Sequence, residues 1–67
     1  MEQFNFRYKP VNAQIIFEVF DQLEDGEYCG FGFSWYLRHD GAVYQVKGNE
    51  TNVFSQRAWT KVYSYPQ

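Results

Sequence analysis

Two kinds of hydrophobic spacing run along this chain, and each predicts one type of secondary structure. Residues 4–9 alternate aromatic with polar side chains, which places Phe4, Phe6 and Tyr8 on one face. Alternation of this kind is typical of a half-buried strand. Pro10 ends the strand, because proline has no N–H group to donate to a strand ladder.

A helical spacing follows this strand. Apolar residues at positions 15, 16, 19, 20 and 23 form one stripe with a period of about 3.6 residues. Asn12 is a suitable N-cap, Val11 and Ile16 stand at the two positions of a hydrophobic staple, and Gly26 can close the C-terminus. We therefore expect a helix over residues 13–24, with Phe17 at the edge of the stripe. A strand is the competing interpretation, but its alternation fails at the two adjacent apolar pairs.

The period of two returns after the helix and predicts three more strands. We expect them over residues 28–38, 42–47 and 59–65, the last of them stopped by Pro66. Asp40-Gly41 is a strong signal for a tight turn between the first two. Residues 48–52 have the composition of a loop, and residues 52–57 fit either a helical turn or the start of a strand.

The order strand, helix, strand, strand, strand predicts an α+β fold in one domain over residues 1–67. The economical arrangement has two layers, with one helix packed on a mainly antiparallel sheet of three to four strands. The first two strands would be parallel neighbours if a right-handed crossover joins them. The sequence does not decide the order of the strands within the sheet.

We expect aromatic residues to form much of the hydrophobic core. Seven Phe, six Tyr and two Trp make 22% of the chain, whereas Cys29 is the only cysteine and no internal disulfide can form. One cysteine and one histidine are too few for a usual zinc site, so we expect no metal and no cofactor. A single reduced cysteine and an N-terminus without the features of a signal peptide predict a cytoplasmic location. No apolar run approaches about 18 residues, so we expect no membrane partner.

The sequence also argues against an enzyme. His39 is the only histidine and adjoins Asp40 in a predicted turn. No motif places a serine, a cysteine or a second histidine to complete a nucleophilic site. The two glycines at 30 and 32 lie within a predicted strand and not before a helix, so they do not form a phosphate-binding loop. We expect no catalytic residues.

The stretch CGFGFSWY, residues 29–36, resembles the octapeptide with which RNA-recognition domains stack bases. The resemblance implies single-stranded nucleic-acid binding with Phe31 and Phe33 exposed, and strand alternation would then expose Trp35 and Leu37 as well. The opposite orientation buries all four side chains under the helix, for a gross gain of about 6–12 kcal/mol. A small domain with a net stability of about 3–5 kcal/mol could hardly forgo that burial. We therefore expect the four side chains in the core.

That orientation leaves an aromatic and basic outer face on the sheet, with a shallow strip at Gly30 and Gly32. The acidic residues lie mostly on the helix or just after it, so the net charge of −2 conceals an uneven distribution. Tyrosine and tryptophan in excess of what solvation requires tend to mark interaction sites. The predicted binding residues are Arg7, Lys9, Tyr28, Tyr36, Arg38, Lys47, Trp59, Lys61, Tyr63 and Tyr65.

These features predict a small non-enzymatic protein-binding module that uses the aromatic and basic sheet face or an edge strand. Its size and composition are typical of accessory proteins and of phage-type inhibitors. Its partner would be another protein with an acidic or flat surface. Two alternatives stay open, a single-stranded nucleic-acid-binding domain and a structural homodimer completed by sheet pairing.

Overall fold

The computed structural model describes residues 4–66. Within them the chain forms one α-helix and a mixed sheet of five strands, so the α+β class is confirmed. The strands lie in sequence order across the sheet, with the first two parallel and every later pair antiparallel. The elements are β1 (Arg7–Tyr8), α1 (Ile16–Gln22), β2 (Glu27–Phe31), β3 (Ser34–His39), β4 (Ala42–Val46) and β5 (Trp59–Ser64).

The sheet has five strands and not three to four, because the segment 28–38 is two strands joined by a tight turn. Phe31 pairs with Ser34, which leaves Gly32 and Phe33 as the turn residues. Gly32 has a φ of +63°, and glycine at the first central position is the signature of a type II′ hairpin turn. The prediction of one continuous strand is wrong because the aromatic alternation runs on through the turn.

The turn also changes which side chains share a face. Phe31 packs on the helix side of the sheet, whereas Trp35 and Leu37 pack on the opposite side and Phe33 projects from the tip. A continuous strand would keep all four on one face, but pairing residue 31 with residue 34 moves the later ones to the other face. The predicted burial of the four beneath the helix is therefore wrong.

The helix α1 is shorter than the predicted range of 13–24. Val11 packs against the helix-side core from an extended segment before it, so the helix begins only at Ile16. Glu18, and not the predicted cap at position 12, binds free backbone donors, because its carboxylate accepts hydrogen bonds from the N–H groups of Gln14 (2.7 Å) and Ile15 (3.1 Å). Those bonds lower the pKa of Glu18 and favour its ionised form.

Each side of the sheet carries its own hydrophobic core. The buried residues on the helix side are Val19, Phe20, Leu23, Cys29 and Val43. Those on the opposite side are Tyr28, Leu37, Val46 and Val53. Two 3₁₀ helices, Glu50–Phe54 and Gln56–Ala58, cover this second core together with Phe6 and Trp59. We call the two 3₁₀ helices the 3₁₀ segment, and they make the second face a covered one.

One connection matches its sequence signal, and the structure settles a second that the sequence left open. Asp40 and Gly41 form the turn between β3 and β4, as predicted, and both have positive φ (55° and 77°), as a type I′ turn requires. Residues 52–57, which fit either a helical turn or a strand, are part of the 3₁₀ segment except for Ser55 between its two helices.

A bulge in β5 changes its side-chain parity. Tyr44 pairs with Lys61, but the neighbouring Val43 pairs with Tyr63, so Val62 is an extra residue. Tyr63 therefore packs against the helix-side core, while Lys61 shares its face with Tyr44 on the opposite side. The prediction that Lys61 and Tyr63 share one outer face is wrong for this reason.

A hydrogen bond fastens the 3₁₀ segment to the sheet. The Tyr28 hydroxyl donates to Glu50 Oε2 at 2.6 Å. This bond is the main cause, and burial the second, of a pKa of Tyr28 that is raised to about 12. The neutral phenol makes the bond, so the fastening depends on the protonation of Tyr28.

We expect Tyr28→Phe to lower the free energy of unfolding by about 1 kcal/mol at neutral pH. The stabilisation by this hydrogen bond is complete below 10.0, the ordinary pKa of tyrosine, and is lost as the pH rises through about 12, the pKa in the folded protein. The reason is that only the protonated phenol donates the bond, so ionisation of Tyr28 removes it. Urea unfolding of both proteins at neutral pH and at about pH 11 measures the difference. A difference that stays constant over that range would contradict the assignment.

Candidate binding surface

The helix α1 covers only part of its side of the sheet. Its seven residues extend only about 10 Å. A cavity of about 330 Å³ remains between α1 and β5, and we call it the groove. It is lined by Ile16, Phe17, Phe20, Tyr36, Gln45, Val62 and Tyr63.

Interlocked aromatic rings form the floor of the groove. The rings of Phe20 and Tyr63 are stacked, with 4.9 Å between centroids and 22° between planes. Phe17 meets Phe20 edge to face at 5.7 Å, and Tyr36 meets Phe20 at 6.4 Å. Aromatic side chains held in this way have little conformational freedom left to lose when a ligand binds.

One amide supplies polarity within this apolar floor. Gln45 Nε2 donates hydrogen bonds to the hydroxyl oxygens of Ser34 (3.1 Å) and Tyr36 (3.3 Å). Within residues 4–66 these are the hydrogen bonds of the Gln45 side chain, and its amide oxygen accepts none. The oxygen is therefore available to an N–H donor of a ligand.

Exposed apolar side chains form the rim of the groove. Phe17 is 60% exposed and Val62 is 42% exposed, although both line the cavity. Ile15, just before the helix, is also exposed. Grouped apolar exposure on a protein surface tends to mark an interaction site, whereas single exposed apolar residues do not.

A second apolar feature adjoins the groove at the β2–β3 turn. The side chain of Phe33 is fully exposed (106%), and we call Gly32 and Phe33 the hairpin tip. The paired strands on either side hold the turn in place. Ser34, which follows the tip, is hydrogen-bonded to Gln45 on the floor of the groove. Ser34 therefore connects the tip to the floor of the groove.

The shallow strip predicted at Gly30 is partly covered. Trp35 stands opposite Gly30 in the ladder, and a Cβ atom on Gly30 would lie 3.2 Å from Trp35 Cζ3. Gly30 is nevertheless exposed and lines a second cavity of about 310 Å³ together with Trp35 and the β2–β3 turn. Gly32 has open space around it but belongs to the turn.

Two of the predicted binding residues, Tyr36 and Tyr63, come together in the groove. Their position differs from the prediction in one respect, since they lie on the helix side of the sheet and not on a face turned away from the helix. The groove thus retains the tyrosines that composition indicated, in a new setting beside Phe17.

Arg38 and Tyr65 lie on the same side, where they hold the helix. Arg38 Nη1 donates to the Leu23 carbonyl oxygen at 2.8 Å, and Arg38 Nε lies 3.0 Å from Asp25 Oδ1. The Tyr65 hydroxyl donates to the Phe20 carbonyl oxygen, and the Arg38 guanidinium stands 3.9 Å from the Tyr65 ring centroid. These two residues serve the fold first.

Tyr28, Trp59 and Lys61 belong to the opposite side of the sheet. Tyr28 is buried and bonded to Glu50, and Trp59 Nε1 donates to the Val53 carbonyl oxygen at 3.0 Å. Both aromatic residues therefore hold the 3₁₀ segment against the sheet. Lys61 is exposed beside them.

The remaining predicted basic residues lie at the margins. Arg7 and Lys9 are on the outer strand β1 or next to it, where Arg7 is 4.0 Å from Glu27. Lys47 follows β4 and is exposed. The single basic face that predicted an acidic partner is therefore not assembled.

Both outer strands oppose the addition of a further strand. β1 has only two residues and is soon followed by Pro10. β5 carries the bulge and Lys61, and Pro66 follows it. Short strands, bulges, lysine and proline all discourage pairing at a sheet edge. Binding through an edge strand is less favoured than binding through the groove.

The described residues offer apolar contact and hydrogen bonding more than reactive chemistry. Residues 4–66 hold no group of three or more His, Cys, Asp or Glu side chains arranged to bind a metal ion. Cys29 is buried, and burial raises the pKa of its thiol to about 11, which keeps it protonated. The ring of His39 packs against Phe4, Phe6 and Trp59, at centroid distances of 5.5, 5.9 and 5.6 Å.

Comparison with protein-family models, with curated proteins and with solved structures found no match for this chain. In the described part of the chain, α1 is too short to cross a membrane, and no other helix is long and apolar enough to do so. Function is therefore inferred from the surface alone.

The sequence does not predict that three residues of the groove and the hairpin tip are exposed. Phe17 lies just off the helical stripe, which is a weak signal for exposure. The parity of continuous strands predicts a buried Phe33 and an inward Val62, and both are exposed. Gly32 is the sequence signal for the exposure of Phe33, since glycine at the first central position is typical of a two-residue type II′ hairpin turn. We find no sequence signal for the bulge at Val62.

Proposed function

We propose that this chain is a small, non-enzymatic protein-binding module whose binding surface is the groove together with the hairpin tip. The observation that supports this best is the groove itself, an apolar cavity of about 330 Å³ whose rim residues Phe17 and Val62 are 60% and 42% exposed. Concave, mostly apolar sites with a few fixed polar groups are the usual sites for ligand side chains. A protein of the accessory or inhibitor type needs no more than such a surface.

The surface supports a two-point attachment. A partner side chain would enter the groove, where the rings of Phe20 and Tyr63 form the floor and the Gln45 amide oxygen can accept a hydrogen bond. Phe33 would in turn pack against the partner, since an aromatic ring on a fixed turn is suited to act as an anchor residue.

Single-stranded nucleic-acid binding has less support. Stacking of bases requires exposed aromatic rings beside a basic channel. Arg38 is engaged with Asp25, and Arg7 and Lys61 lie on strands at opposite edges of the sheet. A homodimer formed by pairing of sheet edges is likewise disfavoured by the features of β1 and β5.

We expect Phe17→Ser to abolish capture of the partner, while Tyr8→Ser leaves capture unchanged. Tyr8 is the matched control, because it is an aromatic residue of similar exposure (57% against 60%) on the far strand of the sheet. The three proteins, wild type included, are used as baits in a lysate of the source cells, and retained proteins are quantified by mass spectrometry. Loss of an aromatic anchor should weaken binding by about tenfold or more.

A second substitution in the groove tests whether loss of binding by Phe17→Ser comes from a change in the helix alone. Val62→Ser alters the opposite rim on β5 and should reduce capture of the same partner. Equal recovery by wild type, Phe17→Ser and Val62→Ser would exclude the groove as the binding surface. Absence of any specifically retained protein with the wild-type bait would contradict the proposed function.

A further inference from the structure

We infer that the groove selects a cationic segment of its partner, one in which a Lys or Arg stands beside the apolar side chain that enters the groove. This inference rests on the proposed function and adds the charge of the ligand to it. It also reverses the sequence-based expectation of an acidic partner, because the basic residues that supported that expectation do not gather on the groove.

The charged residues in the part of the chain that forms the helical rim are all acidic. No Lys or Arg occurs between Lys9 and Arg38, and this stretch contains α1. It contains five carboxylates, at Glu18, Asp21, Glu24, Asp25 and Glu27. A segment that lies along α1 therefore meets a negative potential, which favours a basic partner over an acidic one.

Several of these carboxylates already have partners. Asp25 is paired with Arg38, Glu27 lies near Arg7, and Glu18 binds backbone N–H groups at the start of α1. Asp21 and Glu24, by contrast, are exposed and make no ion pair within residues 4–66. Asp21 lies within α1 and Glu24 lies beyond its last residue, so Asp21 is the carboxylate on the helical rim that a partner can use.

Asp21 is also placed at the groove. It follows Phe17 by four residues, so both lie on the same side of α1. Burial raises the pKa of Tyr65, the Arg38 guanidinium lowers it, and the Asp21 carboxylate adds a smaller upward effect, so both charges act on that ring. The Tyr65 ring lies 4.9 Å from the ring of Tyr63, which lines the groove.

The exposed ring of Phe17 and the carboxylate of Asp21 together suit a cation. An ammonium or guanidinium group over an aromatic face is attracted by the ring, and a nearby carboxylate adds a direct charge interaction. Lys47 follows the end of β4 that pairs with Trp35, which is the hairpin-tip end of the sheet. Arg38 lies on the helix side, but its guanidinium is paired with Asp25, so the unpaired charge on the helical rim is that of Asp21 and the basic side chain belongs beside it.

The test uses random short peptides displayed on phage and panned on the folded protein. We expect the peptides enriched on wild type to combine a large apolar side chain with a nearby Lys or Arg. A chosen peptide should bind Asp21→Lys about tenfold more weakly in fluorescence anisotropy at low salt, and its affinity for wild type should fall as salt is added. Panning on Asp21→Lys should instead enrich acidic peptides.

Two substitutions control for net charge. Asp21→Asn and Thr51→Lys each raise the net charge by one, but Thr51 lies on the 3₁₀ segment, on the other side of the sheet. Asp21→Asn should weaken binding of the chosen peptide, whereas Thr51→Lys should leave it unchanged. Circular dichroism establishes that each variant is folded before binding is measured.

The outcomes separate this inference from the proposed function. Peptides that require Phe17 but show no preference for Lys or Arg, or that bind Asp21→Lys as well as wild type, would overturn the inference and leave the proposed function standing. If no enriched peptide depends on Phe17, both fail. Sedimentation that shows a wild-type dimer lost in Phe17→Ser would also overturn the inference, because a second copy would then occupy the groove.

Discussion

Leu37→Ala is expected to leave this domain largely unfolded under native conditions. Leu37 is completely buried on the side of the sheet away from the helix, in contact with the core of Tyr28, Val46 and Val53. Truncation of a buried leucine costs about 2–5 kcal/mol, because apolar contacts are lost and a cavity remains. A domain of this size has a net stability of about 3–5 kcal/mol, so the substitution removes most of it. Urea unfolding followed by circular dichroism measures the effect.

The same residue tests on which side of the sheet this core lies. Leu37→Val is mild enough to leave a folded protein, and it can be combined with Val53→Ala on the same side or with Val19→Ala beneath the helix. We expect the first pair to be non-additive by about 0.5 kcal/mol or more, because these residues share one cluster. The second pair should be additive, because the sheet separates its members. The reverse pattern would place Leu37 under the helix.

Gly30→Val is expected to cost about 1 kcal/mol, although valine is a better strand former than glycine. A Cβ at this position would lie 3.2 Å from the Trp35 ring, and the two methyl groups of valine would force the indole away from the sheet. Thr60→Val is the control, an exposed strand position where the same residue type should cost almost nothing. Thermal or urea unfolding of both variants gives the comparison.

A double substitution identifies the cause of this cost. In a Trp35→Leu background the ring is absent, so Gly30→Val should lose most of its effect. If the cost of Gly30→Val stays the same without the indole, the contact between Gly30 and Trp35 does not explain why glycine stands there.

Local signals in the sequence identified the elements better than their arrangement. Asp40-Gly41 has a turn chemistry that few other dipeptides share, and the hairpin it predicts is present. The buried part of the helical stripe, from Val19 to Leu23, is likewise where the spacing predicts it. Both features depend on a few neighbouring residues, which a single sequence shows directly.

The assignment of side chains to faces failed at two places where one residue changes the parity. The turn at Gly32 interrupts a run of alternating aromatic residues. Burial of the whole run on one face is favourable only if the run forms a single strand, because a turn moves the later residues to the other face. The bulge at Val62 moves Tyr63 to the helix side without any glycine or proline to announce it. Period-two patterns cannot locate such shifts, because pairing with neighbouring strands decides them.

The sequence therefore predicts the types of residue on the candidate surface better than it predicts where that surface lies. Tyr36 and Tyr63 belong to the predicted set and lie in the groove. Phe17 and Phe33 complete the surface, but their exposure depends on how far α1 reaches over the sheet and on where the β2–β3 turn falls. Both are properties of the assembled fold. The basic residues lie at the margins or bind the helix, and for that reason we propose a basic partner in place of the acidic one that the sequence predicts.

The most direct test of the central claim is a map of the binding site by backbone amide NMR spectroscopy. The labelled protein is titrated with a peptide enriched on wild type or with the partner captured from the lysate. We expect the largest shift changes at Phe17, Tyr36 and Val62, with further changes at the hairpin tip and none at Tyr8. Changes centred on Trp59, Lys61 and Arg7, with the groove unaffected, would contradict the claim that the groove is the binding surface.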